Sequence, residues 1–383
     1  THRLSNRTTA CPVFGRSAAF DCHQGYPTKL KVVSLHTCSE RGFLSIMDRL
    51  WAIKLRIELF YYHKRFNMVK RLKCPLCDGS DLKEIDIIKS TDIILLWKKR
   101  NINVSNLFRG NNFIFKYKCQ ICGLEFFNPF VSGENKFYSE LGKEDLYYLH
   151  EDKTEFVYSS QYIKEGDRVL DIGCGCGAFV KYINKQVVYT GLELSSKAVE
   201  LAQKENINVV KKTIEDFSKE NKYSQDVVVT FQVLEHIADI DKFICSVILT
   251  LKQDGLFIIA VPNNKSFIRN AQNNLLNLPP HHLLHWDETS LQYIAKKYHL
   301  DIVDIYKEKV TNVHKTWYYS TQISNHIRSL LGMSTKSVNR AFFSKIIQII
   351  SSLLSRVAKY SSLHSKKDGH TIVIVLKKVS EHP

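Results

Sequence analysis

From residue 168 onward, short apolar runs alternate with stretches in which apolar residues recur every three or four positions. The first run, Val169, Leu170 and Ile172, carries Asp171 and opens into Gly173, Gly175 and Gly177. It predicts a strand over residues 168–172, a tight loop, and a helix reaching residue 185. Further runs predict strands over 187–192, 207–211, 226–231 and 256–261, with helices from residue 195 and over 239–251 between them. A helix over 288–298 precedes a sixth strand, 300–306, and a last strand, 371–377, should close the sheet by antiparallel pairing. This alternation implies a mostly parallel, doubly wound α/β sheet covered on both faces. Ligands of such sheets bind beyond the carboxyl ends of the strands, where Asp171, Glu193, Phe231 and Gln232 fall.

The glycines suit backbone that must turn at positive φ or lie against a ligand with no Cβ in the way; a plain strand-to-helix turn is the other reading. Glu193 ends the second strand, where a carboxylate can accept hydrogen bonds from both hydroxyls of a ribose. Gly173, Gly175 and Ala178 also satisfy the Gly-x-Gly-x-x-Ala pattern of dinucleotide sites. Asp171 argues against that ligand, because its charge would repel a pyrophosphate. The same carboxylate suits a ligand bearing an ammonium and a sulfonium, such as S-adenosylmethionine.

Upstream the pattern changes. Cys74 and Cys77, then Cys119 and Cys122, form two Cys-x-x-Cys pairs, flanked by Gly79 and Gly123 and separated by a strand-like segment over 112–118. Two such pairs make a tetrahedral thiolate set suited to structural Zn²⁺, with no position left open for water; free buried thiols are the alternative. Residues 68–130 therefore read as a zinc-knuckle segment and 131–383 as the main domain, with an insertion at about 308–368, longer than ordinary loops. Aromatic residues over 131–161, among them Phe137, Tyr138, Tyr147, Tyr148, Phe156, Tyr158 and Tyr162, predict helices leading into that domain and covering its cleft. Residues 1–67 lack sustained periodicity up to residue 40; their composition suggests a partly non-native extension with a true start at Met47 or Met68, and 47–66 can form a short basic amphipathic helix.

Composition adds bounds. An apolar fraction of 44% and a charged fraction of 24% suit a globular protein and exclude fibrous or disordered classes. The net charge of +16 would attract anions, whether phosphorylated substrates, nucleic acid or acidic lipid headgroups, although the excess is spread along the chain. Paired cysteines point to a reducing compartment. With no cleavable signal and no apolar run long enough to cross a bilayer, a cytoplasmic location is expected.

Taken together, residues 166 to about 306 resemble class I S-adenosylmethionine-dependent methyltransferases of the ubiquinone and polysaccharide-cluster type. The resemblance is carried by Val-Leu-Asp171-Ile-Gly-Cys-Gly-Cys-Gly, Gly191-Leu-Glu193-Leu-Ser, Ile214-Glu215-Asp216-Phe, Phe231-Gln232-Val-Leu-Glu235-His236-Ile, and Gly255 followed by Val261-Pro-Asn. It implies a seven-stranded Rossmann-like methyltransferase sheet. It also implies that Asp171, Gly173, Gly175 and Gly177 hold the methionine end of the cofactor, Glu193 the ribose, and Glu215 with Asp216 the adenine amino group. Phe231 and Gln232 would lie beside the methionine. Cys174 and Cys176 occupy variable loop positions and suit packing. Glu235 and His236 either brace the following loop or face the cleft as catalytic groups.

Methyl transfer from a sulfonium is an in-line displacement, so holding acceptor and methyl in contact supplies much of the rate; an oxygen or nitrogen acceptor can also need a base. His281 and His282, after Pro279-Pro280, are the candidate bases or else structural, and similar methyltransferases carry a comparable run over the acceptor pocket. His285 reads as packing or surface. In the insertion, residues 341–360 place Phe343, Ile346, Ile347, Ile350, Leu353, Leu354 and Val357 on one helical face, opposite Lys345, Ser352, Arg356 and Lys359. That face suits core packing, dimerisation, or an anionic membrane surface. The expected function is methyl transfer to a small-molecule or sugar and polysaccharide-precursor acceptor, at oxygen. The alternatives are an RNA methyltransferase and a non-catalytic nucleotide-binding zinc scaffold. The first lacks the Asn/Asp-Pro-Pro-aromatic run that many base-amino methyltransferases use to hold a flipped base.

Overall fold

The strands fall into two sheets in the structure, a computed structural model that describes residues 72–142, 153–333, 336–360 and 366–379. The predicted helix over 47–66, together with Tyr147 and Tyr148, lies outside the described residues. The smaller sheet is antiparallel and contains β1 (Leu82–Lys89), β2 (Phe113–Cys119) and β3 (Glu125–Asn128). The larger is built on β4 (Arg168–Ile172), β5 (Val188–Leu192), β6 (Val209–Val210), β7 (Gln225–Phe231) and β8 (Leu251–Pro262). The two-residue strand β9 (Leu284–His285) joins the small sheet, while β10 (Leu300–Lys309) and β11 (Asp368–Lys378) complete the large one. Its order is β10-β11-β8-β7-β4-β5-β6, with β4 to β8 parallel and β11 antiparallel to both neighbours, as the alternation predicts.

The apolar runs divide with period two between the faces. Val169, Val227, Val229, Ile258, Ala260, Val373 and Val375 pack with Phe156, Ile163 and Phe179 on one side. Leu170, Ile172, Val228, Phe257, Ile259, Ile372 and Ile374 face the other. There they meet helices Ile214–Glu220, Ile240–Thr250 and Glu288–Lys297, and also Cys74, Leu76, Tyr117, Cys119, Cys122, Leu124 and Phe126 of the small sheet. One hydrophobic core thus runs from the parallel sheet to the cysteines.

Several elements differ from their sequence expectation, and strand β8 begins at Leu251, ahead of the expected 256. The helix expected to reach residue 185 is a short 3₁₀ turn, Ala178–Tyr182. Phe179 and Tyr182 lie three apart, and a 3₁₀ turn stacks such positions, so both rings meet Phe156 with centroids 5.4 Å away. Strand β6 keeps two of the five expected residues; it is the sheet's outer edge, where Lys211 and Lys212 are exposed.

Glu125, 2% exposed, anchors the small sheet to the segment after β8: it accepts from Lys116 at 2.7 Å, Arg269 at 3.2 Å and the Asn264 amide at 2.7 Å. Burial works against its ionisation, but Lys116, His285 and Arg269 outweigh it and hold the carboxyl at about 2. Glu125→Ala leaves Lys116 buried without its counter-charge and should lower the unfolding free energy by about 3–5 kcal/mol in urea. Because the folded carboxyl is below its unfolded value, its contribution is present above pH 4.5 and is lost as pH falls towards 2. The difference between wild type and variant should therefore shrink on acidification; a difference that does not change with pH would contradict this account.

Candidate functional site

The loop after β4 forms a cradle at the carboxyl end of the parallel strands. Gly173, Gly175 and Gly177 all have positive φ, at 70°, 57° and 77°. A Cβ on Gly173 would come within 2.4 Å of Val233, and one on Gly177 within 2.7 Å of Ile207, whereas the space beside Gly175 is open to 4 Å. Asp171 sits beneath this loop at 2% exposure. Its Oδ2 accepts from the Tyr189 hydroxyl at 2.8 Å, while its Oδ1 is buried with no hydrogen-bond partner. Burial pushes this carboxyl up to about 7. An ionised carboxylate with one unsatisfied oxygen is poised for a cationic ligand.

Glu193 follows β5 and is joined directly to the same loop. Its Oε2 accepts from the Gly175 amide at 3.0 Å, and its Oε1 from the amides of Leu194 and Ser195 at 2.8 and 2.7 Å. Phe231 and Gln232 end the adjacent strand β7. The Phe231 ring packs into the core, edge-on to Phe156 and tilted against Phe179, and Gln232 turns at a φ of 57°. Glu215 and Asp216 lie in the first turn of helix Ile214–Glu220. Glu215 is half-buried; Asp216 is exposed and bonds Thr213 at 3.2 Å and Lys219 at 2.7 Å. Cys174 packs against Gly191, where an added Cβ would approach its Sγ to 2.5 Å.

A second constellation follows the fourth parallel strand. Glu235 is 1% exposed, and neither carboxylate oxygen has a hydrogen-bond partner. Its backbone carbonyl accepts from the Leu283 amide at 3.0 Å, bracing the segment that carries His281 and His282. His236 adds a contact from its Nδ1 to the His281 carbonyl at 2.5 Å. The His281 and His282 rings stack with centroids 4.5 Å apart, and Tyr138, from the short helix Asn135–Leu141, reaches His236 at 3.4 Å. Burial raises Glu235 to about 8 and keeps all three imidazoles well below their usual range. His285 is packing, edge-on to Phe127 at 5.1 Å and bonded to the Asn277 carbonyl at 2.8 Å. Of the aromatic segment, Tyr162 turns away from this pocket to Asp304, at 2.7 Å, as does Tyr158.

The four cysteines of the small sheet converge: Cys74 lies 3.5 Å from Cys122 and Cys77 3.5 Å from Cys119, with all four sulfurs within 4.8 Å of one another. Gly123 turns at a φ of 79°, and its amide bonds the Cys119 carbonyl at 3.1 Å. The group can hold a metal ion.

The sequence pattern does not single out Tyr189 or Asn277, and it marks Tyr138 only as one of the aromatic residues over 131–161. Tyr189 lies within β5 and reads in the alternation as an ordinary strand residue. Its partnership with Asp171 depends on the parallel register, which pairs Val169 with Tyr189 and Asp171 with Gly191.

Residues 144–305 match the family described as methyltransferase domain. An uncharacterized protein of Methanocaldococcus jannaschii is 34% identical over 137 residues, covering 34% of this chain and 52% of that protein. The ubiquinone biosynthesis O-methyltransferase of Vibrio campbellii is 32% identical over 112 residues, covering 27% of this chain and 48% of that enzyme. The chain spans about half the length of these curated relatives. A solved S-adenosylmethionine-dependent methyltransferase from Archaeoglobus fulgidus aligns over 59% of this chain and 92% of its own, at 18% identity and a TM-score of 0.41. The cradle at Asp171 and the parallel strands β4 to β8 all lie within residues 144–305, the stretch that matches the methyltransferase-domain family.

Proposed function

We propose that the protein transfers a methyl group from S-adenosylmethionine to an oxygen of a small-molecule acceptor. The observation that carries this reading is Asp171, a buried carboxylate with an unsatisfied oxygen beside a loop open at Gly175. The O-methyltransferase relatives support oxygen as the atom methylated. Asp171 and the glycines would hold the amino-acid end of the cofactor, Glu193 the ribose hydroxyls, and Glu215 the adenine edge. Phe231 and Gln232 would close the floor. When bound, the cofactor supplies an electrophilic methyl on a sulfonium. His281 and His282 stand on the acceptor side, where an imidazole can take up the proton of a hydroxyl. A Zn²⁺ ion held by Cys74, Cys77, Cys119 and Cys122 would be structural, since four thiolates complete its tetrahedron. Calorimetry tests the cofactor: binding of S-adenosylmethionine with no response to NAD is expected, and the reverse would overturn the reading.

The acceptor or its carrier would be met at an anionic membrane surface. In helix Phe342–Ala358 the buried positions are Ser344, Ile347, Ser351 and Ser355, while Phe343 is 70% and Val357 74% exposed. The serine side closes on Arg328 of helix Lys315–Leu330, which donates to Ser344 at 2.8 Å. Between Glu308 and Asp368 the chain has no acidic residue, and Lys345, Arg356 and Lys359 flank the exposed apolar stripe. An apolar stripe edged only by cations is complementary to anionic lipid. Among the described residues no helix is long and apolar enough to cross a membrane, so contact would be in the interface. Vesicles containing phosphatidylserine should float wild-type protein, and Phe343→Asp with Ile350→Asp should abolish flotation. Failure of wild type to bind such vesicles would remove the proposal.

A further inference from the structure

His236, His281 and His282 each offer one ring nitrogen, and these lie within 4.8 Å of one another. In each ring Nδ1 faces an oxygen acceptor: the His281 carbonyl at 2.5 Å, the Leu276 carbonyl at 2.8 Å and the Asn277 side-chain oxygen at 3.0 Å. Nδ1 must therefore carry the proton in a neutral ring, which puts the lone pair on Nε2 in all three. Oxygen acceptors behind Nδ1 are the arrangement that orients metal-binding histidines. The Nε2 atoms of His236 and His282 point towards the same carboxylate oxygen, Glu235 Oε1, at 4.0 and 3.8 Å. That carboxylate is 1% exposed and has no donor on either oxygen. The pocket thus gathers nitrogen lone pairs around a buried carboxyl group to which no protein group donates, and a bound cation would satisfy both.

We propose that His236, His281, His282 and Glu235 form a binding site for a divalent transition-metal ion, separate from the cysteine site. Three imidazoles and one carboxylate suit Zn²⁺, Fe²⁺ or Co²⁺ rather than Mg²⁺ or Ca²⁺. Metal–nitrogen and metal–oxygen bonds of about 2.0–2.2 Å require these atoms to close to about 3.4 Å, from 3.8 and 4.0 Å at the carboxylate and from up to 4.8 Å between ring nitrogens. The site deepens the reading above, because it faces the acceptor side of the methyltransferase domain and uses the lone pairs that proton uptake by His281 or His282 would need. The two uses exclude one another.

Metal occupancy decides between them without any assay of methyl transfer. The full chain would be stripped with a chelator, titrated with Co²⁺ and followed by absorption, with the final content measured by elemental analysis. One ion at the thiolates should give an intense sulfur-to-cobalt charge-transfer band. A second ion should add only weak visible bands, for about two ions per chain. Glu235→Gln and His282→Asn should each lose the weak bands and one ion while keeping the charge-transfer band. The retained band and unchanged S-adenosylmethionine binding would report that the variants are folded. Saturation of wild type at one ion per chain, all of it in the charge-transfer band, would overturn the proposal even if both variants fail to fold. Absence of S-adenosylmethionine binding by wild type with two ions bound would instead count against the reading of function.

Discussion

Asp171→Asn should weaken S-adenosylmethionine binding by about 2–5 kcal/mol, or roughly thirtyfold to several thousandfold, while making the cofactor-free protein more stable. Both effects come from the same geometry: the carboxylate is buried, takes one hydrogen bond from Tyr189 and leaves Oδ1 unsatisfied. Burial raises its folded value to about 7 from 3.8. A carboxyl raised in the folded state costs stability when it ionises, so the penalty is absent below pH 4, builds between about 4 and 7, and then stays constant. Three units correspond to about 4 kcal/mol, an upper bound for a site that can relax. The stabilising effect of the variant should thus appear in thermal unfolding at pH 7.5 and vanish at pH 4. A cationic ligand favours the ionised form, so wild-type affinity should rise from pH 5.5 to 7.5 and the variant's should not. Equal affinities for the two proteins, or a pH-independent wild type, would rule out Asp171 as the partner of a cationic group.

The second large effect concerns the cysteines. Removing metal from the full chain with a chelator, or Cys119→Ser, should lower the unfolding temperature by about 10 °C or more, since structural zinc contributes many kcal/mol to small domains. The loss should not stay in the small sheet. Cys74, Cys119 and Cys122 share one core with Leu170, Phe257 and Ile374. Strand β9 pairs Leu284 with Phe126 and His285 with Glu125, tying the segment after His281 and His282 to the same sheet. Methyl transfer should therefore fall before cofactor binding does, because the loop around Asp171 is held by the parallel strands. Unchanged melting with a strong chelator would show that thiols alone hold the sheet, and simultaneous loss of cofactor binding and turnover would contradict the stated route.

Much of the cofactor side is local information and could be read along the chain. Asp171 and the glycines are consecutive, and Glu193 ends the next apolar run, so strand periodicity alone brings them to one edge of the sheet. The parallel order and the antiparallel last strand follow from runs buried on both faces and from the position of the insertion. The acceptor side is different. Glu235 and His236 are separated from His281 and His282 by a helix and a strand, and the Leu283 amide bonded to the Glu235 carbonyl is what joins them. No spacing in the sequence encodes that contact.

The insertion shows the limit most clearly. Periodicity over residues 341–360 determined that the helix has an apolar face and a polar face; it could not say which line of residues meets the neighbouring helix. The structure turns Ser344, Ser351 and Ser355 inwards, where small side chains let the helix approach its neighbour and Arg328 find an oxygen acceptor, and leaves Phe343, Leu353 and Val357 outside. By itself the sequence determined the alternation of strands and helices, the cradle at Asp171 and the two cysteine pairs, because each arises from residues close in the chain or from one repeating period. Only the tertiary structure decided that one core unites cysteines and parallel sheet, that His236 and His282 converge on Glu235, and which helical face meets solvent, because those outcomes depend on packing between segments distant in sequence.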